Sequence, residues 1–157
     1  MPAPRSESLM KRTAALLFFL LVTASCATNS ATDATRPQID IEELTGPQDI
    51  GYVRGPFDVQ YQLTVANRGA DPITLRRVQL ATTGGGGAYT LRNNDFKVFK
   101  ELIAPGTQIS VTFWIHAFAN YYPGDLASSS PVSIRGVATF DSPKGSLQQV
   151  FVKVLPQ

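Results

Sequence analysis

Between Phe57 and Asn67 the chain reads FDVQYQLTVAN, placing Phe57, Val59, Tyr61, Leu63 and Val65 on one side of an extended backbone. Asp58, Gln60, Gln62 and Thr64 fall on the other. Successive side chains of a strand point to opposite faces, so alternation of this length predicts a strand with one face buried and the other wet. Thr107 to Ala117 repeats the pattern: Ile109, Val111, Phe113, Ile115 and Ala117 interleave with Gln108, Ser110, Thr112, Trp114 and His116. Two such strands need a second apolar layer, which restricts the fold to packed sheets or to a sheet covered by helices.

The remaining segments decide between these. Asn67 to Pro72 carries turn residues, and Ile73 to Ala81 resumes with Ile73 and Leu75, then Val78 and Leu80. The inward set changes parity across Arg76-Arg77, which predicts a β-bulge there with both arginines near solvent. Val132 to Phe140 and Gln148 to Leu155 read as a hairpin around Asp141-Ser142-Pro143-Lys144-Gly145, and shorter strands are expected at Ile39–Leu44, Tyr89–Leu91 and Phe96–Phe99. No segment sustains a helical period over three turns. About seven short strands without helices to cover a parallel sheet predict an all-β, Ig-like antiparallel β-sandwich.

Three stretches carry a family resemblance: Tyr61 to Asn67 leading into Ile73-Thr74-Leu75, Ile103-Ala104-Pro105-Gly106 before Val111 to Ile115, and Ile134 to Ala138 before the last hairpin. Together they resemble the Ig-like domains of the late-embryogenesis-abundant type 2 and water-stress (WHy) group, which also occur in bacterial lipoproteins. The resemblance covers most of Phe57 to Leu155 and implies the sandwich fold. It brings no catalytic residues.

Ahead of this domain, Lys11 and Arg12 precede an apolar run from Ala14 to Val22 and the small residues Thr23, Ala24 and Ser25 before Cys26. That order is an export signal, and its apolar run is about half the ~20 residues a spanning helix needs. Translation could begin at Met1 or at Met10. Val22 to Cys26 resembles the bacterial lipobox, which implies that Cys26 is diacylated and becomes the mature N-terminus. Cys26 is the single cysteine, so no internal disulfide competes for it. The alternative is cleavage after Ala27, which would discard Cys26. By the same resemblance, Ala27 after the cysteine points to outer-membrane sorting, with the domain on the periplasmic face. The expected organisation is a signal over residues 1–25, a lipidated cysteine and tether over 26–37, and the sandwich over 38–157. The tether, ATNSATDATR from Ala27 to Arg36, has no large apolar side chain and would reach about 20 Å or less as a coil.

The full sequence has 14 basic and 12 acidic residues. The signal removes Arg5, Lys11 and Arg12 against Glu7, leaving the mature chain formally neutral. Without clustered Lys and Arg, a nucleic-acid partner is not expected. His116 is the single histidine, and a transition-metal site needs further His or Cys ligands that the mature chain does not offer, so no metal or cofactor is expected. A triad on His116 lacks a serine in a nucleophile elbow. Gly84 to Gly87 lacks the Lys-Ser or Lys-Thr of a phosphate loop and reads as a hairpin tip, and Asn93-Asn94-Asp95 reads as a polar turn. Glu42 and Glu43, as strand neighbours, point to opposite faces and cannot act as an acid/base pair.

The candidate binding surface is Trp114 and His116, joined by Tyr121 and Tyr122 in a loop running from Phe118 to Asp125. Tyr and Trp bring large contact areas and polar tips. Two non-enzymatic functions follow: an envelope protein held to the membrane by its lipid and binding or scaffolding an envelope protein, or a stress-protective domain without a defined ligand. An ordered exposed aromatic patch would favour the first and a uniformly polar surface the second. A hydrolase is a distant third.

Overall fold

Eight strands make up the fold in the computed structural model, which describes residues 35–46, 56–84, 87–92, 95–120 and 130–157. They are β1 (Gln38–Thr45), β2 (Pro56–Ala66), β3 (Ile73–Thr82), β4 (Tyr89–Leu91), β5 (Phe96–Ile103), β6 (Gln108–Ala119), β7 (Val132–Ser142) and β8 (Gly145–Leu155). No helix occurs among the described residues. The first sheet has the order β1-β2-β6-β4 and the second β5-β3-β7-β8, with every neighbouring pair antiparallel. The two sheets pack face to face as a β-sandwich.

The alternation of β2 and β6 is the reason they lie side by side at the centre of the first sheet. Their inward rows, Phe57, Val59, Tyr61, Leu63 and Val65 with Phe113, Ile115 and Ala117, are buried, while Ile109 and Val111 pack against the core from its margin. The second sheet contributes Ile73, Leu75, Val78 and Leu80 from β3 and Val132, Ile134, Ala138 and Phe140 from β7. Phe99 and Phe113 meet edge to face across the sandwich at 5.6 Å.

The bulge falls where the change of parity placed it. The pairing of β3 with both β5 and β7 slips between Leu75 and Arg77. Arg76 and Arg77 are both exposed. Arg76 pairs with Asp141 at 2.5 Å, and Arg77 lies 3.9 Å above the ring of Phe96.

Other expectations are corrected. β5 runs on to Ile103 rather than stopping at Phe99, and β6 to Ala119 rather than Ala117. Gly84 to Gly87 is not a hairpin tip: β3 ends in the second sheet and β4 begins in the first, so this connection crosses between sheets. Gly84 takes a positive φ of 84° at its start. The β7–β8 hairpin turns on Pro143-Lys144 alone, between the paired Ser142 and Gly145.

Among the described residues, the polar side chain of Asn67 is buried, with 2% exposure. Its Nδ2 donates to the carbonyls of Asp71 (2.9 Å) and Ile103 (3.1 Å), and its Oδ1 accepts from Gly69 N–H (3.0 Å). Its own N–H donates to Thr107 O, and its carbonyl accepts from Gly106 N–H, both at 2.9 Å. The residue thus ties the β2–β3 turn of one sheet's exit to the β5–β6 turn of the other's. All of its side-chain hydrogen-bonding atoms are engaged, as burial demands.

Candidate functional site

The outer face of the first sheet is built by the strand positions opposite the core. Because Phe113, Ile115 and Ala117 point inward, Trp114, His116 and Phe118 point out, with Trp114 45% and Phe118 46% exposed. From Trp114 to Phe118 the strand advances about 13 Å, four residues at ~3.3 Å each. The register sets β2 beside them: Gln60 faces Trp114, Asp58 faces His116 and Pro56 faces Phe118. Further out, Thr45 of β1 donates to Gln60 Oε1 at 3.3 Å. On the far side Thr90 of β4 faces Phe118.

His116 Nδ1 contacts Asp58 Oδ1 across the β2–β6 pair, and both side chains are about half exposed. The carboxylate fixes the ring's orientation, while Nε2 has no protein partner among the described residues. Its backbone is also held, by Arg92 N–H donating to His116 O at 2.9 Å and His116 N–H donating to Asp95 Oδ2 at 3.4 Å. Beyond Phe118, Asn120 pins the strand end to the β4 side: its Nδ2 donates to Gly87 O at 3.1 Å and its Oδ1 accepts from Thr90 Oγ1 at 2.9 Å.

Of the residues singled out in the sequence, Trp114 and His116 therefore share one solvated face. Tyr121, Tyr122 and Cys26 lie outside the described residues. Two members of this face were not singled out. Phe118, read as a loop residue, belongs to β6, and Asp58 emerges only once β2 is paired with β6. The alternating polar positions of both strands carried the signal, but their register did not.

No three His, Cys, Asp or Glu side chains come together among the described residues in a way that would hold a metal. No Ser or Thr hydroxyl there bonds to His116. A polar network does lie inside the sandwich: Tyr61 and Tyr89 share a hydrogen bond of 2.7 Å, Tyr89 donates to Glu43 Oε2, and Gln157 Nε2 donates to the same oxygen at 3.0 Å. Burial raises both phenols far above their usual range, so they stay neutral donors in a chain that ends on a carboxylate. Glu42 is on the outer face, as alternation requires. At the other end of β2, a shallow cleft of about 400 Å³ lies between the Asn67 corner and the β7–β8 turn. Its charged walls, Lys144 and Asp71, pair with each other at 2.5 Å.

No protein-family model matches the chain, and no curated protein does. Several solved structures are similar at low identity. A protein from Archaeoglobus fulgidus is 11% identical, with a TM-score of 0.47 over 74% of this chain and 91% of its own. The yeast GGA1 GAE domain is 13% identical, with a TM-score of 0.45 over 78% and 93%. A FixG-related protein from Vibrio parahaemolyticus is 10% identical, with a TM-score of 0.34 over 77% and 95%. No functional residue passes from them to this chain.

Proposed function

We propose that this is a non-enzymatic, lipid-anchored protein of the cell envelope whose sandwich binds or scaffolds an envelope protein through the outer face of its first sheet. The observation that carries the reading is the pair of half-exposed aromatics, Trp114 and Phe118, bracketing the His116–Asp58 pair. Large aromatics on a wet sheet face expose apolar area that a partner can cover, and the polar groups around them can fix its orientation. The same face gives the domain a surface that is not uniformly polar, which weighs against a stress-protective role by weak contacts alone.

The export segment and the lone Cys26 support a location at a membrane, on the periplasmic face of the outer membrane where the cell has two. Tyr121 and Tyr122 come just after Asn120 in the chain, beyond the end of β6 at Ala119, and are included in the proposed surface.

A photo-crosslinking residue at Trp114 of the full chain, in the producing cell, tests this. The expected result is a discrete covalent adduct with one envelope protein, lost in a Phe118→Ala, Tyr121→Ala, Tyr122→Ala background. Absence of an adduct at Trp114, with membrane association intact, would overturn the proposed surface.

A further inference from the structure

Each sheet of the sandwich has two edges, and an edge strand offers unpaired backbone groups to any extended chain unless it is short, charged, bulged or covered. Three of the four edges carry such protection. β4 has only three residues. β1 carries Asp40, Glu42 and Glu43, and its pairing is irregular between Glu43 and Thr45. β5 carries Lys97, Lys100 and Glu101 and lies against the bulge at Arg76.

Among the described residues β8 is the least protected of the four edges. It is 11 residues long and pairs with β7 in unbroken register from Gly145 to Leu155. It contains no proline. Its one charged residue, Lys153, is held by Asp40 at 2.7 Å. That pairing lowers the Asp40 carboxyl and raises the Lys153 amine, first through their hydrogen bond. The outward positions of β8 are Val150, Val152 and Val154, which are 47%, 66% and 58% exposed.

We infer that β8 is a self-association edge, along which two copies of the chain join antiparallel into one continuous eight-stranded sheet. The sequence of the edge is self-complementary in that arrangement. A two-fold axis at Val152 sets it against Val152 of the second copy, and sets Val150 against Val154 of the second copy, so the exposed valines form cross-strand apolar pairs. Lys153 is neutralised within its own chain by Asp40, so β8 itself brings no uncompensated charge to the axis, while the carboxylates of Glu42 and Glu43 stand on the adjoining β1 edge of the other sheet. The length also suffices. Eleven residues span about 36 Å at ~3.3 Å per residue, and β1 lies against β8 across the sandwich, so the edge is about 20 Å deep. The strip is then roughly 700 Å² per copy, near the ~800 Å² typical of a specific interface. This edge belongs to the second sheet and leaves the Trp114 face open, so the inference does not depend on the proposed function.

The test uses the full chain in a Cys26→Ser background, where no thiol or lipid interferes. Directly opposed residues of an antiparallel pair have Cα atoms about 4.5–5.5 Å apart, inside the roughly 4.4–6.8 Å that a disulfide bridges. Val152→Cys should therefore oxidise to a covalent dimer at micromolar concentration, while Gln62→Cys on the first sheet should stay monomeric. In sedimentation equilibrium the Cys26→Ser protein should approach twice the monomer mass as concentration rises. Val152→Lys, which sets two like charges at the axis, should raise the dissociation constant at least tenfold, with an unchanged thermal midpoint at concentrations where both proteins are monomeric. Monomer mass at every concentration, or equal oxidation of both cysteine variants, overturns the inference. So does Val152→Lys abolishing co-sedimentation with anionic phospholipid vesicles while the mass stays monomeric, since that would make the valines a lipid-facing surface.

Discussion

Replacing Asn67 tests whether the corner between the two sheets is held as the structure describes. Asn67→Ala removes three neutral hydrogen bonds, to Asp71 O, to Ile103 O and from Gly69 N–H. Each is worth about 1 kcal/mol net, and leaving buried groups unpaired adds to the loss. A destabilisation of about 3–5 kcal/mol is expected in urea unfolding. Asn67→Asp separates the donor from the acceptor. It keeps an oxygen for Gly69 N–H but turns the other toward two carbonyl oxygens, a position only the protonated acid can satisfy. The folded state should therefore hold its proton above the unfolded value of about 3.9. Stability relative to Asn67→Ala should then be greatest at pH values below about 4, where both states hold the proton. It should fall by up to about 1.4 kcal/mol per pH unit as the pH rises toward the folded pKa, because the unfolded chain has released its proton and the folded one has not. Unfolding at pH 4, 5.5 and 7 with constant m-values checks this. An Asn67→Asp variant within ~0.5 kcal/mol of wild type and independent of pH would refute the network.

Three further outcomes are expected. Phe113→Ala should cost about 3–5 kcal/mol as a core cavity, whereas Trp114→Ala on the opposite face should stay within about 1 kcal/mol; equal losses in urea unfolding would contradict the two-faced reading of β6. Because burial raises Tyr61 and Tyr89, the unfolded chain releases two protons near pH 10 that the folded chain retains. Stability should drop by about 2.7 kcal/mol per pH unit above pH 10, and Tyr61→Phe should halve that slope; an unchanged slope in the variant would place the effect elsewhere. Cys26→Ser should move the protein out of the membrane fraction, and an intact mass starting at Thr28 without lipid would show that no anchor is made.

The sequence was most legible where burial is one-sided. Strict alternation in β2 and β6 marks both strands and assigns Phe113 and Trp114 to opposite faces, and the parity change at Arg76-Arg77 marks the bulge. β5 was foreshortened because Lys100, Glu101 and Leu102 on an exposed edge break the pattern that one-sided burial imposes. Strand order was not readable, since pairing joins residues as distant as Asp58 and His116 and depends on packing of the whole. For the same reason the Asp58–His116 pair and the place of Phe118 were missed. Asn67 was read as turn chemistry, although its second role, across to Ile103, spans 36 residues. The Tyr61–Tyr89–Glu43 network left one trace: Tyr61 sits at a core position of β2, and a buried hydroxyl needs a partner.

The bulge at Arg76 makes the domain tolerant of two kinds of genetic change at one place. Both arginines are exposed, so replacing either one alters only surface pairings with Asp141 or Phe96. Deleting one codon there removes the extra residue instead. Leu75 and Val78 would then stand two positions apart, in phase on the inner face of a regular strand, so neither half of β3 turns toward water. The same deletion inside the unbroken alternation of β2 would send every core residue on one side of it to the wrong face. One-residue deletions should therefore be accepted across Arg76-Arg77 far more often than between Val59 and Val65, in any collection of variants selected for a folded domain.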